Sequence, residues 1–263
     1  MSEVAATRWV ERAGRAGYVA KGVLYGLIGL IAIQVPIGLE EEPEDRQGAL
    51  RMVGQQPFGE VLLLALAAGL AGYALWRLAQ GLLDTDDEGT DPKALAKRAG
   101  SVGRGVIYGF AAFSAFALVA GSGSSGGNEQ QETRTVFDLP LGRYLVAAVG
   151  LGLLGAGAFN AYRSLTKDFR KHLREHELAP KVRGWVIAVG VVGHAARAVV
   201  FGLVGIFLLR AAWEYDPTEA KGLDEALLTL AEAPYGPALL FAVGAGLLAY
   251  GAYCLVQARY REV

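Results

Sequence analysis

"KGVLYG", residues 21–26, sets a lysine at the mouth of a long apolar run, with Gly22 and Gly26 four residues apart and Tyr25 between them. Two stretches repeat the pattern: "RGVIYG" at 104–109 and "RAVVFG" at 197–202. With Lys21, Arg104 and Arg197 in register, Gly17, Gly100 and Gly193 coincide four residues earlier. Gly22, Gly105 and Ala198 coincide next, then Tyr25, Tyr108 and Phe201, then Gly26, Gly109 and Gly202. A second set follows in each copy. "PFG" at 57–59, "PLG" at 140–142 and "PYG" at 234–236 open it; Gly69, Gly152 and Gly246 come next, then Trp76, Phe159 and Tyr253. The chain is therefore three tandem units of about 83 to 93 residues, and such a period sets the fold.

Each unit holds two apolar segments. Uncharged runs cover 22–39, 61–76, 105–128, 144–162 and 233–258, and a sixth at 184–209 is interrupted by His194 and Arg197. A membrane span needs about 20 mostly apolar residues, because a helix rises about 1.5 Å per residue across about 30 Å of hydrocarbon. The 36 glycines would weaken soluble helices but suit membrane ones, where they let backbones approach. The pattern predicts an all-α integral membrane protein of six transmembrane helices, a single membrane domain with repeats at about 8–83, 92–168 and 181–260. Two helices per unit make the repeats parallel, related by an axis along the membrane normal, and three units suggest pseudo-threefold symmetry.

The net charge of −1 hides a strong polarity. The N-terminus, the 2–3 and 4–5 connections and the C-terminus carry 19 of the 25 Lys and Arg and a net +8; the other three connections carry −9. By the positive-inside rule both termini face the cytoplasm. The acidic stretches "EEEPED" at 40–45 and "GLDEALLTLAE" at 222–232 fall outside. Residues 1–21 are charged and no small-residue cleavage site follows the first run, so the first helix is expected to stay in the protein. The single cysteine, Cys254, excludes an intramolecular disulfide and any cysteine-based metal site.

At these residues the chain resembles the bacterial membrane family known as domain of unknown function 1206. Its members are three tandem copies of a two-helix unit opening with G-x-x-x-[KR]-G-x-x-Y-G. The resemblance covers residues 8–260, and the third copy departs from it at Ala198 and Phe201. It implies an architecture and a place in the bacterial cytoplasmic membrane, but neither an activity nor catalytic residues.

Two segments read as interfacial. Charges at 8, 11, 12 and 15 alternate with Trp9, Val10, Ala13 and Ala16, the spacing of an amphipathic helix on the inner surface. Trp185 precedes Arg197 by 12 residues, as Trp9 precedes Lys21. So 185–192 reads as a more apolar counterpart with helix 5 starting near His194; one long tilted helix is the rival. Residues 162–177 read as a cytoplasmic extension of helix 4. Tyr162, Leu165, Phe169 and Leu173 would share one face, and Arg163, Lys167, Arg170, Lys171 and Arg174 would offer another to anionic headgroups or an acidic partner.

Two motif matches fail on context. "GLGLLG" at 150–155 fits the dinucleotide fingerprint, with Glu175 twenty residues on, but its glycines lie inside an uncharged run of membrane length rather than at a strand–helix turn. "HLREH" at 172–176 fits H-x-x-E-H, with His172 and His176 as zinc ligands and Glu175 as base. A third ligand is needed, and the next downstream acids, 214–232, lie across the membrane. No serine–histidine pairing, phosphate-binding loop or cofactor lysine is apparent. An enzyme, a cofactor, a metal and a nucleic-acid partner are all unexpected.

Lys21, Arg104 and Arg197 remain as the candidate site. They could extend their heads to inner-leaflet phosphates. They could converge at one depth around a common axis, as cation rings do in anion pores. They could each be buried against a partner. The small residues Gly22, Gly26, Gly105, Gly109, Ala198 and Gly202, with Gly69, Gly152 and Gly246, read as helix-packing faces, and Tyr25, Tyr108 and Phe201 as packing residues. The expected function is a non-enzymatic scaffolding or accessory role that contacts the lipid bilayer and its anionic headgroups, with a possible membrane-protein partner. The alternative is a small channel or transporter for an anionic solute with the three cations at its cytoplasmic mouth.

Overall fold

A computed structural model describes residues 3–39, 46–55, 58–85, 89–120, 136–137, 141–173 and 179–260. Among these residues the regular elements are helices. Six are long and apolar enough to cross a membrane: α1 (Glu3–Gln34), α3 (Gly59–Leu83), α4 (Pro92–Val119), α5 (Gly142–Thr166), α6 (Pro180–Glu214) and α8 (Gly236–Tyr260). Two shorter helices, α2 (Arg46–Gly54) and α7 (Leu223–Glu232), precede α3 and α8. The expected membrane class and the six spans are as the apolar runs predict, and the spans fall two to a repeat.

Local chemistry sets the helix ends. Asp91 caps α4, accepting from the Ala94 N–H at 2.9 Å, with Pro92 at the first helical position. Arg98 donates to the last carbonyls of α3, Gly81 O at 3.0 Å and Leu82 O at 3.1 Å. Arg143 does the same for α6, bonding Ala212 O at 2.7 Å.

The chain forms two compact units, Met1–Val23, Leu50–Ser124 and Cys254–Val263 in one, Leu24–Ala49 and Ser125–Tyr253 in the other. In the first, α3 packs along α4. A Cβ at Gly69 would lie 2.8 Å from Ala20 Cβ, and one at Gly105 2.7 Å from Leu78, so these glycines let the helices approach closely. In the second, α5 packs along α6. There a Cβ at Gly29 would lie 2.6 Å from Gly244 O and one at Gly205 3.0 Å from Gly150 O. These two pairs hold the same repeat positions, so this unit makes one inter-repeat contact twice.

Three expectations are corrected. α6 runs unbroken from Pro180 through His194, so 185–192 is not a separate interfacial helix; the long-helix rival is what forms. The first helix likewise continues from Glu3 to Gln34, because nothing in 8–22 breaks it. Helix 4 does not extend to 177. Lys167 adopts a left-handed conformation, φ 57°, ending α5, and a short 3-10 turn, Asp168–His172, follows. The reversal drives Phe169 into full burial against Gly190, while Leu165 stays exposed. Tyr162, Leu165, Phe169 and Leu173 therefore do not share a face. The stretch 40–45 lies outside the described residues, as do residues 174–178 and the side chain of His172, so the H-x-x-E-H match falls largely outside them.

Candidate functional site

The three sequence-predicted cations sit in three different surroundings. Lys21 is the most buried, 4% exposed. α1 presents Gly17, Tyr18 and Lys21 on one face, and α3 presents Tyr73, Trp76, Arg77 and Gln80. No side chain fits at Gly17, whose Cβ would run into Tyr73, so α1 presses directly onto α3. Lys21 Nζ then reaches Tyr73 Oη at 3.4 Å and lies 5.2 Å over the Tyr73 ring and 5.3 Å over that of Tyr108.

Arg77 is the residue that sequence reasoning missed. It is 7% exposed. Its guanidinium spreads its donors over three neutral oxygens: Nε to Tyr73 Oη at 3.0 Å, Nη1 to Gln80 Oε1 at 2.7 Å and Nη2 to Tyr18 Oη at 3.0 Å. The group also stacks 4.4 Å from the Trp76 ring. Lys21 and Arg77 thus donate to one oxygen, which puts their charges within about 6.4 Å, the two bond lengths laid end to end. At an effective dielectric constant of about 20 that repulsion is about 2–3 kcal/mol. Cation–π contacts of about 0.5–2 kcal/mol each offset it. Among the described residues Tyr73 Oη makes these two hydrogen bonds only as acceptor, so its own proton is left to donate.

Arg197 repeats half of this arrangement. Gly193, the counterpart of Gly17, faces the Tyr250 backbone, where a Cβ would lie 2.7 Å from its Cα. Tyr250, the counterpart of Tyr73, accepts from Arg197 Nη1 at 2.6 Å. The guanidinium is enclosed by three rings, Tyr250 at 4.4 Å, Phe201 at 4.6 Å and Tyr25 at 5.3 Å. His194 stands where repeat one has Tyr18; it is 1% exposed and stacks on Phe169 at 5.0 Å. Its Nδ1 carries a proton, because its partner at 2.7 Å is the Gly190 carbonyl, which can only accept. Cys254 stands where repeat one has Arg77.

Arg104 folds back on its own helix instead. It donates to Gly100 O at 2.9 Å and to Ser101 Oγ at 3.2 Å. In repeat two the Tyr73 position is Ala156 and the Arg77 position is Asn160, whose amide donates to Ala156 O at 2.7 Å.

The aromatic positions are used across repeats. Tyr108 meets Tyr73 edge-on at 4.8 Å, and Tyr25 meets Tyr250 edge-on at 5.0 Å, the same contact in register. Of the predicted small residues, Gly22 is buried, Gly26 lies under Leu248, Gly109 under Ala74 and Gly246 against Ala196. A Cβ at Gly157 would lie 3.2 Å from Ala198 O and from Gly202 N, while one at Gly152 would meet nothing within 4 Å.

The three-fold recurrence of this cation–glycine–tyrosine pattern is matched by a family model, Domain of Unknown Function (DUF1206), at residues 16–84, 99–167 and 192–261. The chain belongs to this family. The DUF1206 assignment covers each of the cations described above with its tyrosine or phenylalanine. The chain is also 29% identical over 255 residues to a Bacillus subtilis (strain 168) protein named "Uncharacterized protein YxxB", covering 97% of this chain and 92% of that one. No solved structure matches the chain.

Proposed function

We propose that this protein is a non-enzymatic accessory component of the bacterial cytoplasmic membrane, and that its first repeat holds an oxyanion-bearing group, a lipid phosphate or an anionic solute. One observation carries the reading: the two buried cations Lys21 and Arg77 converge on Tyr73 Oη, whose own proton is free to meet an acceptor. A phosphate or carboxylate is the chemistry such a donor set recognises. Position supports it. Lys21 immediately precedes the uncharged run 22–39 and Arg77 immediately follows the run 61–76, so both stand at the ends of their apolar runs on the side of the chain termini. The excess of Lys and Arg supports a cytoplasmic placing of that side.

The test is thermal unfolding in mild detergent. Inorganic phosphate in one arm, and phosphatidylglycerol against phosphatidylcholine in the other, should each raise the wild-type midpoint if the ligand chemistry is general. A rise with the anionic lipid alone identifies the headgroup as the source. Arg77→Asn, which installs the residue of repeat two, should abolish either rise. A protein whose midpoint is indifferent to both anions refutes the reading. Transport is the second reading, favoured by the same pair of cations. It predicts anion flux in liposomes that falls when Lys21 and Arg77 both become Gln.

A further inference from the structure

Each repeat opens its second span with P-x-G, and the middle residue does something unusual each time. Phe58, Leu141 and Tyr235 all adopt the left-handed conformation, with φ of 63°, 65° and 62°. Left-handed backbone is disfavoured for apolar L-residues, and glycine or asparagine is the ordinary choice there. Their side chains are nevertheless driven outwards, 83%, 71% and 86% exposed.

The glycine that follows explains how the turn is held. A Cβ at Gly59 would run into the carbonyl of Gly54, one at Gly142 into that of Val136, and one at Gly236 into that of Ala231. Each span start is thus clamped against the segment before it, and the clamp turns one apolar side chain away from the protein.

The exposed surface then continues down the span. Val61 and Leu62 follow Phe58, Tyr144 and Leu145 follow Leu141, and Leu239 and Phe241 follow Tyr235, all exposed. In a membrane-spanning helix such an exposed apolar surface is the part available to lipid. The three residues differ in shape, being Phe, Leu and Tyr, and agree in apolar character. A protein partner reads shape; a bilayer interface reads apolarity and tolerates such variation.

We propose that Phe58, Leu141 and Tyr235 are interfacial anchors. Each enters the boundary between headgroups and acyl chains of the leaflet opposite the chain termini, and fixes the depth of its repeat. Strained backbone held at three equivalent positions fits a functional demand rather than a turn requirement. The inference is independent of the anion reading, because it concerns the other side of the membrane and other residues.

The test is a nitroxide spin label placed by Phe58→Cys, Leu141→Cys and Tyr235→Cys, one at a time, in the full chain carrying Cys254→Ala, reconstituted in vesicles of phosphatidylglycerol and phosphatidylcholine. Gln55→Cys, exposed and polar in the same connection as Phe58, is the reference in water. Labels at the three positions should collide more with oxygen than with a water-soluble nickel chelate, the reverse of the label at 55. A label at any of the three that follows the pattern at 55, or that neither collider reaches, overturns the proposal. The first outcome means a turn exposed to water, and the second means a surface covered by protein.

Discussion

Repeats one and three build the same junction from different charges. In both, a glycine on the first helix lets it press on a tyrosine of the second, and a cation four residues on donates to that tyrosine's hydroxyl. In repeat three Arg197 is boxed by three rings, and Cys254 stands at the position of Arg77. Repeat one adds Arg77 and places a second buried charge on the same oxygen. The comparison separates what the architecture needs from what repeat one carries in excess. One cation and one tyrosine suffice to join the helices. A second cation in that setting adds repulsion, and its stacking on Trp76 and bonds to Tyr18, Gln80 and Tyr73 hold it in place.

The largest effect should come from attacking the shared half. Gly17→Ala and Gly193→Ala each push a methyl into a tyrosine on the facing helix. Overpacking of this kind costs about 1–3 kcal/mol and more where backbone must move. Both should lower the unfolding midpoint in detergent by similar amounts. Gly100→Ala in repeat two is the control, since its Cβ would meet only the Arg104 side chain at 3.8 Å and alanine is the better helix former. Equal losses at all three glycines would mean that the junction is not the shared element.

Removing the hydroxyls should split the two clusters. Tyr73→Phe strips an acceptor from two buried cations, and Tyr250→Phe from one. A hydrogen bond to a charged group is worth about 1.5–3 kcal/mol, so repeat one should lose the more, by about the value of one such bond. Equal midpoints for the two variants would show that Tyr73 does not serve both cations.

The sequence made some of this plain. The repeat was legible because its marks, cation, glycine, tyrosine and glycine within six residues, are local and recur in register. The spans were legible because uncharged runs of membrane length have few alternatives. Arg77 was not found, because the run at 61–76 was closed at the first charge, whereas α3 carries on to Leu83 and buries that charge inside the span. The signal was present in the alignment: Tyr73 and Tyr250 fall in register four residues after Gly69 and Gly246. The bond from Lys21 to Tyr73 spans 52 residues, so no local periodicity reports it. The end of α5 was also hidden, since a lysine in left-handed backbone carries no mark in sequence that a glycine would.

Arg77→Asn should cost the unliganded protein less than the loss of its hydrogen bonds alone would. The substitution removes three hydrogen bonds made by a charged group, about 1.5–3 kcal/mol each, and relieves about 2–3 kcal/mol of repulsion, which offsets part of the loss. Arg197→Asn has no such relief and should lower the midpoint. A drop for Arg77→Asn equal to the full loss of those three bonds would mean that there is no repulsion to relieve, and the asymmetry between the repeats would lose its meaning.

The smallest effect lies outside both clusters and calibrates them. Asp216, in the turn after α6, accepts from the Thr218 hydroxyl at 2.7 Å and from the Thr218 N–H at 2.9 Å. These bonds hold its carboxyl below the ordinary range. A lowered folded-state value contributes stability that is present above the unfolded value, near pH 4, and is lost as pH falls through the folded one. Wild type should therefore exceed Asp216→Asn slightly at about pH 6, and the gap should narrow as the pH falls below about 4. The group is exposed, so the gap is small. With the turn and the cluster acting independently, the double variant Asp216→Asn with Arg77→Asn should show the sum of the single effects. A departure from that sum would show that the cluster in repeat one and the turn after α6 are coupled, and the two repeats could then no longer be compared as separate junctions.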